Sequence, residues 1–290
     1  MLDLLAEAAL FASLFAAGNG AAPALPSSPA EEPPAFPTLA EEFAEEKIPA
    51  RAFLALDLAS GRVLAEKNAD LPLPPASLTK MLTALVALDL EKPARWLQIP
   101  DATLKVPGNR VWFYRWEKLQ LRDLLAGLLL PSGNDAAVAL AISLAGSEEA
   151  FVKKMMEKAA ALGLENSSFQ NPTGLDAEGH LSTARDLARL AGAFLREPLL
   201  RELAGTAEKK IFSAKGLKHE LRTTNQLLRE FPEKVFGVKT GTTPAAGQCL
   251  TLLVRDEEGR EILAVVLDAE DRWAESQELV EFLLKETSWE

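Results

Sequence analysis

Three short stretches hold the side chains that could do chemistry. In "PPASLTKMLTALVAL", residues 74–88, Ser77 and Lys80 stand three apart at the head of an apolar run. At that spacing on a helix both lie on one face, within reach of each other. A serine hydroxyl becomes a useful nucleophile only when a neighbour takes its proton as it attacks. Lysine can do this if burial or another cation lowers its pKa from about 10.4. The head of a helix adds N–H groups and partial positive charge near Ser77. By chance, Ser-x-x-Lys occurs roughly once in a chain of this length, so the pair alone does not separate a site from the polar edge of a buried helix.

In "LLLPSGNDAAVALA", Ser132, Gly133 and Asn134 follow a proline and precede an apolar helix. Ser, Asn and Asp are the preferred residues of turns and helix N-caps. A hydroxyl and a carboxamide either side of a glycine could instead pass a proton and hold a substrate amide. In "GVKTGTTPAAG", Lys239, Thr240 and Gly241 fall in a strand. A lysine on an edge strand discourages aggregation. Alternatively the edge pairs with an extended peptide, Lys239 and Thr240 hold its anionic end, and backbone N–H groups near Thr242 face a developing oxyanion. The glycine lets the backbone approach a ligand closely. The three motifs occur once each, in this order, at a helix head, a helix-to-helix turn and a strand.

The rest of the chain must bring them together. "ARAFLALDLASGRVLAEKNAD" predicts a β-hairpin around "DLASGR", and a helix is expected over about 76–90, after an extended entry set by Pro74 and Pro75. Residues 95–118 read as irregular and rich in Trp and Arg, and helices follow in "LQLRDLLAGLLL", "GNDAAVALAISLAG", "SEEAFVKKMMEKAAALG" and "STARDLARLAGAFLRE". Ser182 and Thr183 are cap candidates for the last, and Arg185 and Asp186 read as its solvated first turn. "VFGVKTGTTPAAGQCLTLLVRDEEGREILAVVLDAE" predicts three strands, closed by an amphipathic helix in "RWAESQELVEFLLKE". Strands at both ends of the domain with helices between predict an α+β fold, an antiparallel sheet of about five strands flanked by helices with a mainly helical inserted subdomain. Residues 1–20 form an apolar segment readable as a signal or anchor, although Asp3 and Glu7 replace the usual positive start. Residues 21–47, rich in Pro, Ala and Glu, predict a flexible tether, leaving 48–290 as the domain.

Composition narrows the chemistry. A formal net charge of -11 argues against a nucleic-acid partner. The lone cysteine, Cys249, excludes an internal disulfide and a cysteine zinc cluster, and reads as a buried strand residue. Two histidines far apart in sequence, His180 and His219, leave little for a metal site or a Ser-His-Asp triad. No metal or cofactor is expected, and any hydrolytic chemistry falls to a lysine base. His180 reads as a structural loop histidine near the cleft.

The motif set resembles that of β-lactamases and penicillin-binding proteins. With "NPTGLDAEGHLSTARDLA" added, residues 48–287 look like the D-alanyl-D-alanine carboxypeptidases of the S11 peptidase group. The resemblance implies that Ser77 attacks the carbonyl between two terminal D-alanines, with Lys80 as its base and Ser132 relaying a proton to the leaving group. It implies that Asn134 orients the acyl chain, that Lys239 and Thr240 bind the terminal carboxylate with Gly241 and Thr242 beside them on the substrate-binding edge, and that the backbone N–H groups of Ser77 and Thr242 form the oxyanion hole. Peptidoglycan stem peptides are then the partner, β-lactams covalent inhibitors and the cell envelope the location. The chain ends soon after the closing helix, which makes the N-terminal segment the expected means of any membrane attachment. A cross-link endopeptidase is the nearest alternative. A serine β-lactamase would need a water-activating carboxylate, and "LGLENSSFQNPTGLD" has Glu165 without the Glu-x-x-Leu-Asn spacing. A non-catalytic scaffold would not need all three motifs intact.

Overall fold

The computed structural model describes residues 37–289 except residue 42, so the apolar segment of residues 1–20 and the first part of the tether lie outside the described residues. The strands are β1 (Pro37–Leu39), β2 (Ala52–Asp57), β3 (Val63–Lys67), β4 (Trp96–Gln98), β5 (Lys118–Gln120), β6 (Glu208–Phe212), β7 (Lys218–Arg222), β8 (Val235–Thr243), β9 (Gly247–Arg255), β10 (Glu261–Ala269) and β11 (Thr287–Trp289). The helices are α1 (Lys80–Leu90), α2 (Leu121–Leu129), α3 (Asn134–Ala145), α4 (Glu148–Ala161), α5 (Ala184–Arg196), α6 (Pro198–Ala204), α7 (Gln226–Glu230) and α8 (Arg272–Glu286).

The central sheet is antiparallel with the order β3-β2-β10-β9-β8, joining the first strands of the domain to the last as the sequence predicts. Its strands read as continuous apolar runs because both faces are covered. Side chains alternate across a strand, so Ala52, Leu54, Leu263 and Val265 join the helical block while Phe53, Ala55, Ile262 and Ala264 join the core beneath α8. Helix α1 is apolar nearly all round and buried from Lys80 to Ala87, as such a helix must be. Two small two-stranded antiparallel sheets, β4–β5 and β6–β7, lie outside the central sheet.

Several expectations are refined. The tether of residues 21–47 is not free chain at its end, because β1 pairs with β11 and Phe43 is buried against Phe53 and Phe282. The helix expected from residue 76 starts as a 3-10 turn, Ala76–Thr79, and becomes α-helical at Lys80. Its entry is not extended: Pro75 is in the right-handed helical region and Ala76 has φ +48°. Finally, Asp186 is buried rather than solvated, accepting from Asn166 N and Ser167 Oγ, while Arg185 pairs with Glu66 and Asp70. Thr183, not Ser182, caps α5, its hydroxyl accepting from Asp186 N.

Candidate active site

Ser77, Ser132, Asn134, Thr240, Gly241 and Thr242 line one open cleft between the sheet edge β8 and the helical block. Lys80 and Lys239 lie buried beside it, 0% and 2% exposed. All eight residues singled out in the sequence therefore come together.

The amine of Lys80 meets three oxygens: Ser77 Oγ at 2.8 Å, Asn134 Oδ1 at 2.7 Å and the Thr173 carbonyl at 2.5 Å. Burial holds its pKa well below the ordinary lysine value, and the charge of Lys239 pushes in the same direction against an opposing pull from Asp135. A neutral amine has two N–H bonds and one lone pair. In that form the two N–H groups would satisfy Asn134 and Thr173, and the lone pair would face the Ser77 hydroxyl. Lys239, on β8, is also pushed down, to about 7, first by burial and then by Arg272. It donates to the Thr240 carbonyl at 2.8 Å.

The turn carrying Ser77 is clamped from two sides by glycines. A Cβ on Gly241 would lie 2.9 Å from Ala76 Cβ and 3.0 Å from Ser77 N, so only glycine lets β8 come this close to the backbone of Ser77. From the other side Gly174, at φ +81°, abuts the Ala76 carbonyl. The segment "NPTGLD" is built for that contact. Asn171 Oδ1 accepts from Thr173 N, Thr173 Oγ1 and Gly174 N, and the resulting turn delivers the Thr173 carbonyl to Lys80. Asp176 then ties the segment to the β8–β9 turn through Thr243 Oγ1 and Ala245 N.

Ser132 has φ +60°, an unfavourable region for a residue with a side chain. Asn134 opens α3 but its side chain caps nothing. It receives Lys80 through Oδ1 and donates through Nδ2 to the Pro107 carbonyl at 2.7 Å. The reading of this stretch as a plain cap therefore fails for Asn134. The aggregation-guard reading of Lys239 fails equally, since its side chain is buried.

Sequence reasoning missed Arg272 and Thr224, both in the cleft wall. Arg272 donates to the Gly241 and Cys249 carbonyls, and the Thr224 hydroxyl bonds that of Thr240 at 2.5 Å. Neither belongs to a motif: one is a lone arginine at a helix head, the other a threonine before an Asn cap, and no local signal marks them.

His180 is buried. Its Nδ1 accepts from Gln170 N, so Nε2 carries the proton and donates to Thr79 Oγ1, which in turn donates to the Ala76 carbonyl. The neutral ring satisfies every partner, and burial lowers its pKa to about 4 from 6.5. A base whose folded pKa is depressed contributes stability that is intact above about 6.5 and is lost as pH falls through 4. The shift corresponds to roughly 3 kcal/mol. Urea unfolding between pH 7 and 4 should show a loss of that order, and His180→Gln should flatten it; an unchanged pH slope in the variant would assign the acid loss elsewhere. Cys249 is fully buried in β9 and its thiol is pushed up to about 11, as a core residue requires.

A Ser-x-x-Lys pair in a turn under a strand edge, faced by a Ser-Gly-Asn turn, is the motif arrangement shared by β-lactamases and penicillin-binding proteins. A family model, D-alanyl-D-alanine carboxypeptidase (peptidase S11), matches residues 39–271, and the chain belongs to that family. Among its relatives are the D-alanyl-D-alanine carboxypeptidase DacF of Bacillus subtilis, 37% identical over 80% of this chain and 61% of that protein, and a D-alanyl-D-alanine endopeptidase of Pseudomonas aeruginosa, 37% identical over 72% of this chain and 68% of that one. The chain thus spans about three fifths of the length of the curated carboxypeptidases it matches. Among solved structures it resembles a penicillin-binding protein homologue of Mycobacterium tuberculosis, with TM-score 0.78, 30% identity and coverage of 85% of this chain and 95% of that one. It also resembles the Streptomyces K15 DD-transpeptidase, with TM-score 0.76, 27% identity and coverage of 82% and 98%.

Proposed function

We propose that the protein is a serine-type D-Ala-D-Ala carboxypeptidase that trims peptidoglycan stem peptides in the cell envelope. The observation that carries this reading is the buried Lys80 amine 2.8 Å from Ser77 Oγ, with its other two partners already fixed. Ser77 Oγ attacks the carbonyl between the terminal D-alanines while its proton passes to Lys80 Nζ. The carbonyl oxygen becomes an oxyanion, received by the backbone N–H groups of Ser77 and Thr242. The C–N bond then breaks, and the leaving amine takes a proton relayed through Ser132. The product is an ester on Ser77 and free D-alanine, and water hydrolyses the ester. Asn134 orients the acyl chain, while Lys239 and Thr240, beside Gly241 and Thr242, hold the terminal carboxylate. Extracytoplasmic location, β-lactam inhibition and any membrane contact through the N-terminal segment belong to the same reading. It calls on no cofactor.

Incubation with a fluorescent penicillin and with a stem pentapeptide tests the reaction. Mass spectrometry should find an adduct on Ser77 that persists for minutes or longer, and loss of one alanine from the peptide. Rapid penicillin turnover would make it a β-lactamase, and release of cross-linked peptides without alanine would make it the endopeptidase that one relative's name suggests.

The two lysines also set a pH profile. Lys80 must be neutral to take the proton, and Lys239 must be cationic to hold a carboxylate. With Lys239 near 7, kcat/KM for the free enzyme should rise on the acid side and fall as pH climbs above about 7. Lys239→Arg keeps its charge at any accessible pH, so the falling limb should move upward. A limb that stays in place would dissociate Lys239 from carboxylate binding.

A further inference from the structure

The segment from Pro107 to Glu117 leaves the cleft carrying a row of exposed aromatic rings. Trp112, Tyr114 and Trp116 are 66%, 62% and 64% exposed, while Phe113 and Glu117 between and after them are buried. Large rings turned to water at alternate positions lower solubility, so they call for an occupant.

This loop is held rigidly. The buried carboxylate of Asp135 accepts from Val111 N and Trp112 N at 3.0 and 2.9 Å. Glu117 accepts from Tyr114 N and bonds His219, whose ring packs edge-on against Phe113. Trp112 and Trp116 have φ +67° and +62°, a conformation that L side chains rarely adopt. Such strain persists only where surrounding contacts enforce it, and it gathers at ligand clamps. The backbone is spent on aiming two tryptophans outward.

Resting on the peptidoglycan reading above, we propose that this aromatic loop binds the glycan strand that carries the stem peptide. Three observations select that occupant. The loop is continuous with the cleft: Gly108 and Asn109 line it, and the Asn109 and Pro107 carbonyls accept from Asn134 N and Nδ2. A polymer whose peptide lies in the cleft must therefore pass nearby. The surface is also mixed as a sugar is mixed. Hexose rings have apolar C–H faces that stack on flat aromatic rings, and hydroxyl and acetamido groups that need hydrogen-bonding partners. Here Arg110 lies 4.1 Å over the Trp112 ring, and Asp101 holds Arg115 and Trp116 Nε1 at 3.1 and 3.2 Å. Finally, a chain of net charge -11 is a poor match for an anionic lipid surface, the other common partner of exposed Trp and Tyr.

The test compares a sugar-free stem pentapeptide with intact peptidoglycan sacculi, using the full chain and a Trp112→Gly/Trp116→Gly variant. Glycine removes the rings and relieves the positive φ, so the variant should melt at or above the parent temperature. Its kcat/KM on the free peptide should stay within about twofold of the parent, while D-alanine release from sacculi falls tenfold or more and co-sedimentation with sacculi is lost. Milder Trp112→Phe and Trp116→Phe variants should retain most sacculus binding. Equal loss on both substrates, unchanged activity on sacculi, or loss of binding only to anionic vesicles would each overturn the proposal. A parent enzyme inert toward the free peptide would instead defeat the carboxypeptidase reading, while co-sedimentation would still report on the loop.

Discussion

Replacing Lys80 by methionine is expected to slow acylation of Ser77 by about 10²–10⁴-fold, the range of a lost general base. Methionine fills a similar volume and keeps the site buried, so Ser77 stays in place without its proposed proton acceptor. The variant also leaves Asn134 Oδ1 and the Thr173 carbonyl without the donor they share. Each such loss costs about 1–3 kcal/mol, partly offset because a desolvated amine is removed with it. The protein should therefore fold with a modestly altered melting temperature. Stopped-flow acylation by a fluorescent penicillin measures the rate directly, and the deficit should persist at alkaline pH, because no residual lysine can be deprotonated there. Acylation at the parent rate would remove Lys80 from the mechanism and leave the proton to another group.

Gly174→Ala should damage both stability and acylation, although residue 174 bears no reacting atom. The new Cβ would lie 1.9 Å from the Ala76 carbonyl oxygen and 2.4 Å from its carbon, at φ +81°. Backbone must move, and the backbone in question carries Ser77. Overpacking together with a disfavoured dihedral costs on the order of 2–4 kcal/mol. A nucleophile displaced by about 1 Å loses on the order of 10²-fold in rate. Denaturant melts and penicillin acylation give the two effects separately. Gly192→Ala is the matching control. It sits inside α5 with its nearest neighbour 4.0 Å away, so the same substitution should leave activity intact and stabilise by up to about 1 kcal/mol. Parent-like acylation in Gly174→Ala would show that the turn tolerates movement and that Ser77 is positioned from elsewhere.

The order of elements was legible because hydrophobic period and turn chemistry are local. The hairpin of β2 and β3, the helices from α2 to α5 and the run of β8, β9 and β10 all follow from alternation, heptad-like spacing and Gly, Pro or Asx punctuation. Ser77 and Lys80 were legible as a pair because three residues of helical backbone fix their separation whatever the rest of the chain does. Where local rules fail, a distant contact imposes the conformation. Ala76 holds φ +48° in a turn packed between Gly174 and Gly241, 98 and 165 positions further along the chain. Asp186 looks like a solvated helix start until residues 166 and 167 close over it. Arg272 reaches the cleft only because α8 begins where β10 ends, beside the β8 edge.

The sequence by itself determined which side chains could act: one Ser-x-x-Lys, one Ser-Gly-Asn, one Lys-Thr-Gly, and too few histidines or cysteines for the common alternatives. It could not determine that the pKa of Lys80 is lowered, since a lysine in isolation is a cation at neutral pH. That property comes from the fold, which strips Lys80 of water, sets Lys239 close by and occupies two of its three hydrogen-bonding positions. Identity and spacing are properties of the chain, whereas desolvation is a property of everything packed around it.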